Sequence, residues 1–199
     1  MANDISKTSI INLALANLGQ KLISSPTEET QTARTANLMY DFVRRNLLRA
    51  HDWVFAMRDE ELSASTLESP IVELPYMYVL PADNLYVRKI FYKGMPFNHP
   101  YRWKLLNDAH GNKLIACQFQ NAKITYVADV QDVSLFEPNF VMCFALLLAA
   151  ELAIPLAGDG QIAQLLFSKY QSKLDEARQT NKIEQFEVPV EISAFLEAR

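Results

Sequence analysis

Apolar residues recur at helical spacing near the start of the chain: Ile10, Ile11, Leu13, Ala14, Leu15 and Leu18. Gly19 follows where a left-handed helix stop belongs, and Ser6 or Thr8 would cap the start. A second helix is drawn more sharply. Ala33, Ala36, Tyr40, Val43, Leu47 and Ala50 make one stripe, and Met39, Phe42 and Leu48 widen it. Pro26 and Thr27 ahead of Glu28 and Glu29 predict its beginning, since carboxylates suit the positive end of a helix dipole. The stripe continues into Arg49-Ala50-His51-Asp52-Trp53-Val54-Phe55-Ala56, which reads as a further helical turn with Trp53 and Phe55 as core anchors.

From about Ile71 the pattern changes to short runs of Val, Ile, Tyr and Phe punctuated by Pro75, Pro81, Pro96 and Pro100. Strands are predicted at Tyr76–Leu80, Tyr86–Tyr92, Lys113–Gln118 and Ala122–Val127. His110-Gly111-Asn112 offers a hairpin turn between Trp103–Leu106 and Lys113–Cys117. Helices resume at Glu137-Pro138, with Pro138 suited to a first helical position. The helix Asn139–Ile154 is apolar almost all round and must be covered on most sides. Pro155 and Gly158 end it, Asp159 can cap the next, and Ile162, Leu165, Leu166, Tyr170, Leu174 and Ala177 form the last stripe. The fold class expected is α+β, mainly α: a helical bundle with a small antiparallel β region inserted and an extended C-terminal tail. The divisions are 1–70 for the N-terminal helices, 71–135 for the β region, 136–182 for the C-terminal helices and 183–199 for the tail arm.

That tail changes the picture. Phe186, Val188, Val190 and Ile192 alternate with Glu187, Pro189 and Glu191, a period of two. No turn or second strand follows, and a lone strand is not stable in water. It therefore belongs against its own domain or, by strand addition, against a neighbouring subunit. Phe186, Val188, Val190, Ile192, Phe195 and Leu196 are candidate partner-binding residues, together with Arg44, Arg45 and Arg49.

Composition is ordinary for a globular chain, 50% hydrophobic and 21% charged, and only 5 Gly and 9 Pro argue against low complexity. The formal charge of −4 weakens a nucleic-acid-gripping role, because phosphate neutralisation supplies most of that affinity. Cys117 and Cys143 are too few and too far apart for a disulfide scaffold or zinc site, and they read as reduced thiols with Cys143 buried. Met1-Ala2-Asn3-Asp4 lacks the basic start of a signal peptide, and the apolar run Phe140 to Ala150 is too short to cross a bilayer. No membrane partner is expected.

Catalytic signatures are missing from the sequence. Gly158 and Gly160 lack the Lys-Ser/Thr of a phosphate loop, no Gly-x-Ser-x-Gly elbow occurs, and His51, His99 and His110 have no metal-ligand spacing. No cofactor, metal or catalytic residue is expected. Glu60 and Glu61 read as solvated surface, whereas Glu151, inside an apolar helix, needs a partner or an exposed edge. Arg44, Arg45 and Arg49 suit the negative end of the second helix, with Asp41 placed to pair with Arg45. Contact with an acidic partner or DNA is the sharper reading of the three.

The order of features resembles the head-to-tail adaptor proteins of short-tailed phages, the tail tubular protein A family. The resemblance rests on Ile11-Asn12-Leu13-Ala14-Leu15-Ala16-Asn17-Leu18-Gly19 and on Ala33, Ala36-Asn37, Tyr40-Asp41, Arg44 and Leu48-Arg49 running into His51-Asp52-Trp53. Leu74-Pro75-Tyr76 with Leu80-Pro81-Ala82-Asp83, and the late Ala149-Ala150-Glu151-Leu152-Ala153, extend it over most of the chain. The resemblance implies a structural, non-enzymatic subunit of a twelve-membered ring between portal and tail nozzle proteins, assembled in the host cytoplasm and carried in the virion tail. Such a ring extends the channel through which DNA passes without specific binding, for retention after packaging and for ejection. It further implies that C-terminal segments hold neighbours or the portal. Two alternatives stand beside it: a tail-associated cell-wall hydrolase using Glu151 or Asp159, and a non-viral helical binding module.

Overall fold

A computed structural model describes residues 5–92 and 102–184. Ser6 caps the first helix, α1 (Lys7–Asn17), in a reciprocal box: its hydroxyl accepts from the Ser9 amide at 3.1 Å while the Ser6 amide donates to Ser9 Oγ at 2.8 Å. Gly19 takes φ +65°, and its amide donates back to Ala16 O. No atom lies within 4 Å of where a Cβ would sit, so only left-handed backbone strain opposes a side chain there.

The second helix, α2 (Gln31–Ala50), begins later than the acidic pair predicts. Thr30 is its cap, through Oγ1 accepting from the Ala33 amide, whereas Glu28 serves the preceding turn by accepting from the Ser24 amide at 2.9 Å. Its end is also earlier than the periodicity suggests. His51 is extended (φ −152°, ψ 156°), and Arg178 Nη2 donates to the freed Ala50 carbonyl at 3.2 Å. Trp53 then heads a short 3₁₀ turn, Val54–Ala56, from which the chain enters a strand. The aromatic anchors stand outside the helix.

Among the described residues seven strands follow: β1 (Met57–Glu61), β2 (Ser63–Ala64), β3 (Tyr76–Val79), β4 (Asn84–Phe91), β5 (Trp103–Asn107), β6 (Lys113–Cys117) and β7 (Lys123–Ala128). They form two antiparallel sheets, ordered β1-β7-β4 and β2-β3-β6-β5. β1 and β2 are joined through Leu62 alone, so the chain steps from one sheet directly into the other. The hairpin at Gly111 forms as expected, with φ +85° at the glycine and the Asp108 carboxylate accepting from the amides of His110 and Asn112. Asn112 Nδ2 also bonds that carboxylate, and this contact above all holds its pKa below the usual value.

A short 3₁₀ turn (Val133–Leu135) leads into α3 (Pro138–Leu152), with Pro138 in the first turn as expected. A single π turn, Ala153–Ala157, accommodates Pro155, and Gly158 in the left-handed region (φ +66°) closes it. Asp159 then caps α4 (Gly160–Glu184) by accepting from the Gln161 and Ile162 amides at 2.8 and 3.1 Å. With its π turn, α3 forms a helical stretch long and apolar enough to cross a membrane by length and composition. However, eleven of its fifteen α-helical residues are buried within the protein, as in a core helix.

The helical-bundle expectation fails. The fold is α+β, about 47% helix and 21% strand, with two full sheets in place of a small inserted one. β1 and β2 arise from Met57-Arg58-Asp59-Glu60-Glu61 and Ser63-Ala64, whose mostly exposed, charged side chains carry no apolar alternation. The core is accordingly shared. One continuous cluster joins Ile11, Leu15, Leu47 and Phe144 from helices to Tyr78, Ile90, Ile115 and Tyr126 from both sheets. Among the helices the principal contacts run through α3, which α1, α2 and α4 all pack against. A small second cluster, Leu74, Met77, Leu114 and Ala116, lies on the other face of the four-stranded sheet.

Candidate interaction surface

The three arginines separate into different roles. Position 44 lies on the buried stripe between Tyr40 and Leu47, so Arg44 is only 1% exposed. Its guanidinium meets Asp129 Oδ1 at 2.5 Å, Val130 O at 2.6 Å and Asp41 Oδ1 at 3.3 Å, tying α2 to the chain leaving β7. Arg44 is thus a structural strut, not a partner-binding group. Arg45 reaches the other oxygen of Asp129 at 2.9 Å but keeps about half its side chain in solvent, so the expected Asp41–Arg45 pair is replaced by Asp41–Arg44. Arg49 is exposed, with its guanidinium 5.7 Å from the ring centre of Tyr86 on β4.

The segment after α2 is a joint of side chains with structural partners. Trp53 is fully buried, donates Nε1–H to Leu47 O at 2.9 Å and meets Phe140 edge-on at 5.1 Å between ring centres. Phe55 continues the stack onto Phe136 and Phe140. Asp52 forms an ion pair with Arg88 of β4. His51 lies edge-on to Trp53, and burial above all pushes its pKa down, against the opposing pull of Asp52.

That shift has a pH consequence. The folded pKa is depressed, so the unfolded chain takes up the proton first; the contribution of neutral His51 is intact above about pH 6.5 and is lost as pH falls through the lowered folded value. Urea midpoints measured from pH 8 to 5 should decline less steeply for His51→Asn than for the wild type. Identical slopes would show that His51 does not carry the effect.

The carboxylates of the hydrolase alternative also have places. Glu151 is exposed on α3, and Asp159 is engaged in capping α4. Glu60 is not simply solvated: with Asp83 it accepts from the Tyr126 hydroxyl, at 3.0 and 3.1 Å respectively, while Arg58 pairs with Asp83. Burial, followed by these two carboxylates, pushes the Tyr126 pKa up and keeps it a neutral donor. Glu61 pairs with Lys123. Among the described residues no group of three or more His, Cys, Asp or Glu could hold a metal ion.

Cys117 and Cys143 are both free and buried, and burial raises the Cys143 thiol to about 11. Neither should react with a thiol reagent at pH 8 until the protein unfolds, so labelling should track the urea transition. Fast labelling of the native protein would contradict their burial.

The surface instead offers apolar contact area. Leu38 and Phe42, 76% and 65% exposed, form a ridge one helical turn apart on the outer face of α2, bracketed by Arg34 and Arg45. Phe42 was expected to widen the buried stripe, yet the stripe was already complete through Tyr40, Val43, Arg44 and Leu47. A separate open groove of about 510 Å³ runs beside α1, lined mainly by Ile5, Leu13, Ala16, Leu22 and Val141, with Ser9 and Asn12 as its polar contacts. Asn12 also pins the Ile23 backbone through both amide atoms at 2.9 Å, which fixes the far wall. The signal for the ridge is Leu38 and Phe42 standing one helical turn apart, off the line of Tyr40, Val43 and Leu47; the groove has no such signal. The tail candidates Phe186, Val188, Val190, Ile192, Phe195 and Leu196 lie outside the described residues; α4 itself persists to Glu184, into the stretch expected to be tail.

No protein-family profile matches the chain, and no curated protein matches it.

Proposed function

We propose that the chain is a structural subunit of a head-to-tail adaptor ring, bound to a portal protein on one side and a tail nozzle protein on the other. The observation that carries this reading is the pair of unlike apolar surfaces on one protomer, the Leu38–Phe42 ridge and the groove beside α1. A closed ring is built from heterologous contacts, in which each subunit offers two different patches. The resemblance in the helical segments supplies the identity of the partners. The net charge of −4 per chain favours a channel that repels DNA and lets it slide.

Native mass spectrometry and negative-stain microscopy, with and without a cognate portal, test the assembly. A ring on the portal is expected. Phe42→Asp should abolish the ring while leaving the circular dichroism spectrum unchanged, because the side chain is mostly in solvent. A chain that stays monomeric and never binds a portal would sink the proposal, as a lumen lined with Lys and Arg would sink its account of DNA sliding.

A further inference from the structure

Sheet edges with unpaired backbone groups recruit other strands unless something blocks them. Three of the four edges here are blocked. β1 carries Arg58, Asp59, Glu60 and Glu61; β2 is two residues long; β4 has two register shifts against β7 and packs beside α2. The fourth, β5, is five residues long, regular against β6, and bears one charge, Lys104.

Which of its groups face outward follows from the ladders. Leu80 donates to Lys113 O across β3 and β6, so odd-numbered residues of β6 bond β3 and Leu114 and Ala116 bond β5. Their partners are Leu106 and Lys104, and Asp108 donating to Asn112 O keeps the same alternation. The amides and carbonyls of Trp103, Leu105 and Asn107 therefore point to the edge that no strand among the described residues pairs. Trp103 and Leu105 put their side chains on the sheet face shared with buried Ile115 and Cys117, and there Leu105 remains 49% exposed.

We infer that residues 186–192 of another copy add to this edge as an antiparallel fifth strand. The even positions Phe186, Val188, Val190 and Ile192 would bond β5 and lay their apolar side chains beside Leu105. The odd positions would face outward, where Pro189 lacks only an amide that no strand needs. With Val190 opposite Leu105, Glu191 falls opposite Lys104, an opposite-charge cross-strand pair; the acidic β1 edge would repel the same segment. This assignment to another copy rests on the ring-forming reading.

Mixing full-length Leu105→Cys with full-length Val190→Cys under oxidised glutathione tests the pairing. Directly opposed residues should sit about 5.5 Å apart at Cα, within disulfide range. A disulfide-linked dimer of the two variants is expected, free and on the portal. Lys104→Glu in the first partner should lower its yield about threefold, and Glu191→Lys in the second should restore it. No mixed dimer, a bond formed only within one chain when both cysteines share it, or indifference to the charge swap would each overturn the inference. A portal-bound ring without the cross-link would remove the strand pairing and keep the ring; a cross-link without portal binding would do the reverse.

Discussion

Replacing Trp53 with alanine is expected to cost about 3–5 kcal/mol, the largest loss of any single truncation at the joint after α2. Three contributions combine. The fully buried indole vacates a volume bounded by Phe140, Phe55 and His51, rings packed too rigidly to collapse into the space. Leu47 O loses the Nε1–H donor it meets at 2.9 Å in a buried position. Finally, the turn that carries the chain from α2 to β1 loses its anchor. Urea unfolding followed by circular dichroism should show the loss as a lower midpoint. Trp53→Phe, which keeps an aromatic ring in place but loses the donor and part of the indole volume, should cost less than Trp53→Ala. A Trp53→Ala midpoint within error of the wild type would show that the joint is not part of the cooperative core.

The second large effect is expected at Asp129. Its carboxylate is the principal counter-charge of the buried Arg44, and Asp129→Ala leaves that guanidinium with Val130 O and the solvent-facing Asp41 alone. Stranding a buried charge costs about 3 kcal/mol or more. Removing the cation should be milder: after Arg44→Met, Asp129 retains Arg45 at 2.9 Å, and the methionine stem fills much of the vacated space. The ordering, Asp129→Ala worse than Arg44→Met, is the diagnostic result. The Arg44→Met/Asp129→Leu double variant should recover much of the loss, because it removes both charges together. Equal effects from the two single changes would mean that Arg44 is better solvated than its 1% exposure implies.

Arg44 also marks where the sequence was legible and where it misled. It stands four residues after Tyr40 and three before Leu47, so its spacing put it on the buried stripe from the outset. Its place near the helix C-terminus gave a sufficient electrostatic reason for an arginine, and that reason hid the burial. Elsewhere pattern and structure agree. Strands β3, β4, β6 and β7 and the Gly111 hairpin follow from β-branched runs and turn residues, and α3 from its uniform apolarity. β1 stayed invisible because Met57 alone of its side chains packs against the core; its ladder with β7 fixes it through backbone bonds and pairs such as Thr125–Asp59 and Lys123–Glu61. The helical pattern runs past the end of α2 because Trp53 keeps the three-residue spacing of Leu47 and Ala50 although it heads a 3₁₀ turn. Of the candidate site, the exposed arginines were in view, but the groove was not: it depends on how α1 lies against α3 and on the Leu22–Ile23 backbone that Asn12 holds.

The position of α3 as common neighbour of the other helices has a consequence for the order of biosynthesis. α1 and α2 emerge from the ribosome early, but the helix they pack against begins at residue 138, nearly ninety residues after α2 ends. At ordinary elongation rates that gap lasts on the order of ten seconds. Throughout it the stripes of α1 and α2 lack α3, their principal helical partner, and the sheets lack the α3 side chains that complete the shared core. The nascent chain therefore passes through a prolonged interval as a client for chaperones that hold apolar segments. Synonymous codons that slow translation between residues 51 and 137 should lower the soluble yield, although the protein they encode is unchanged.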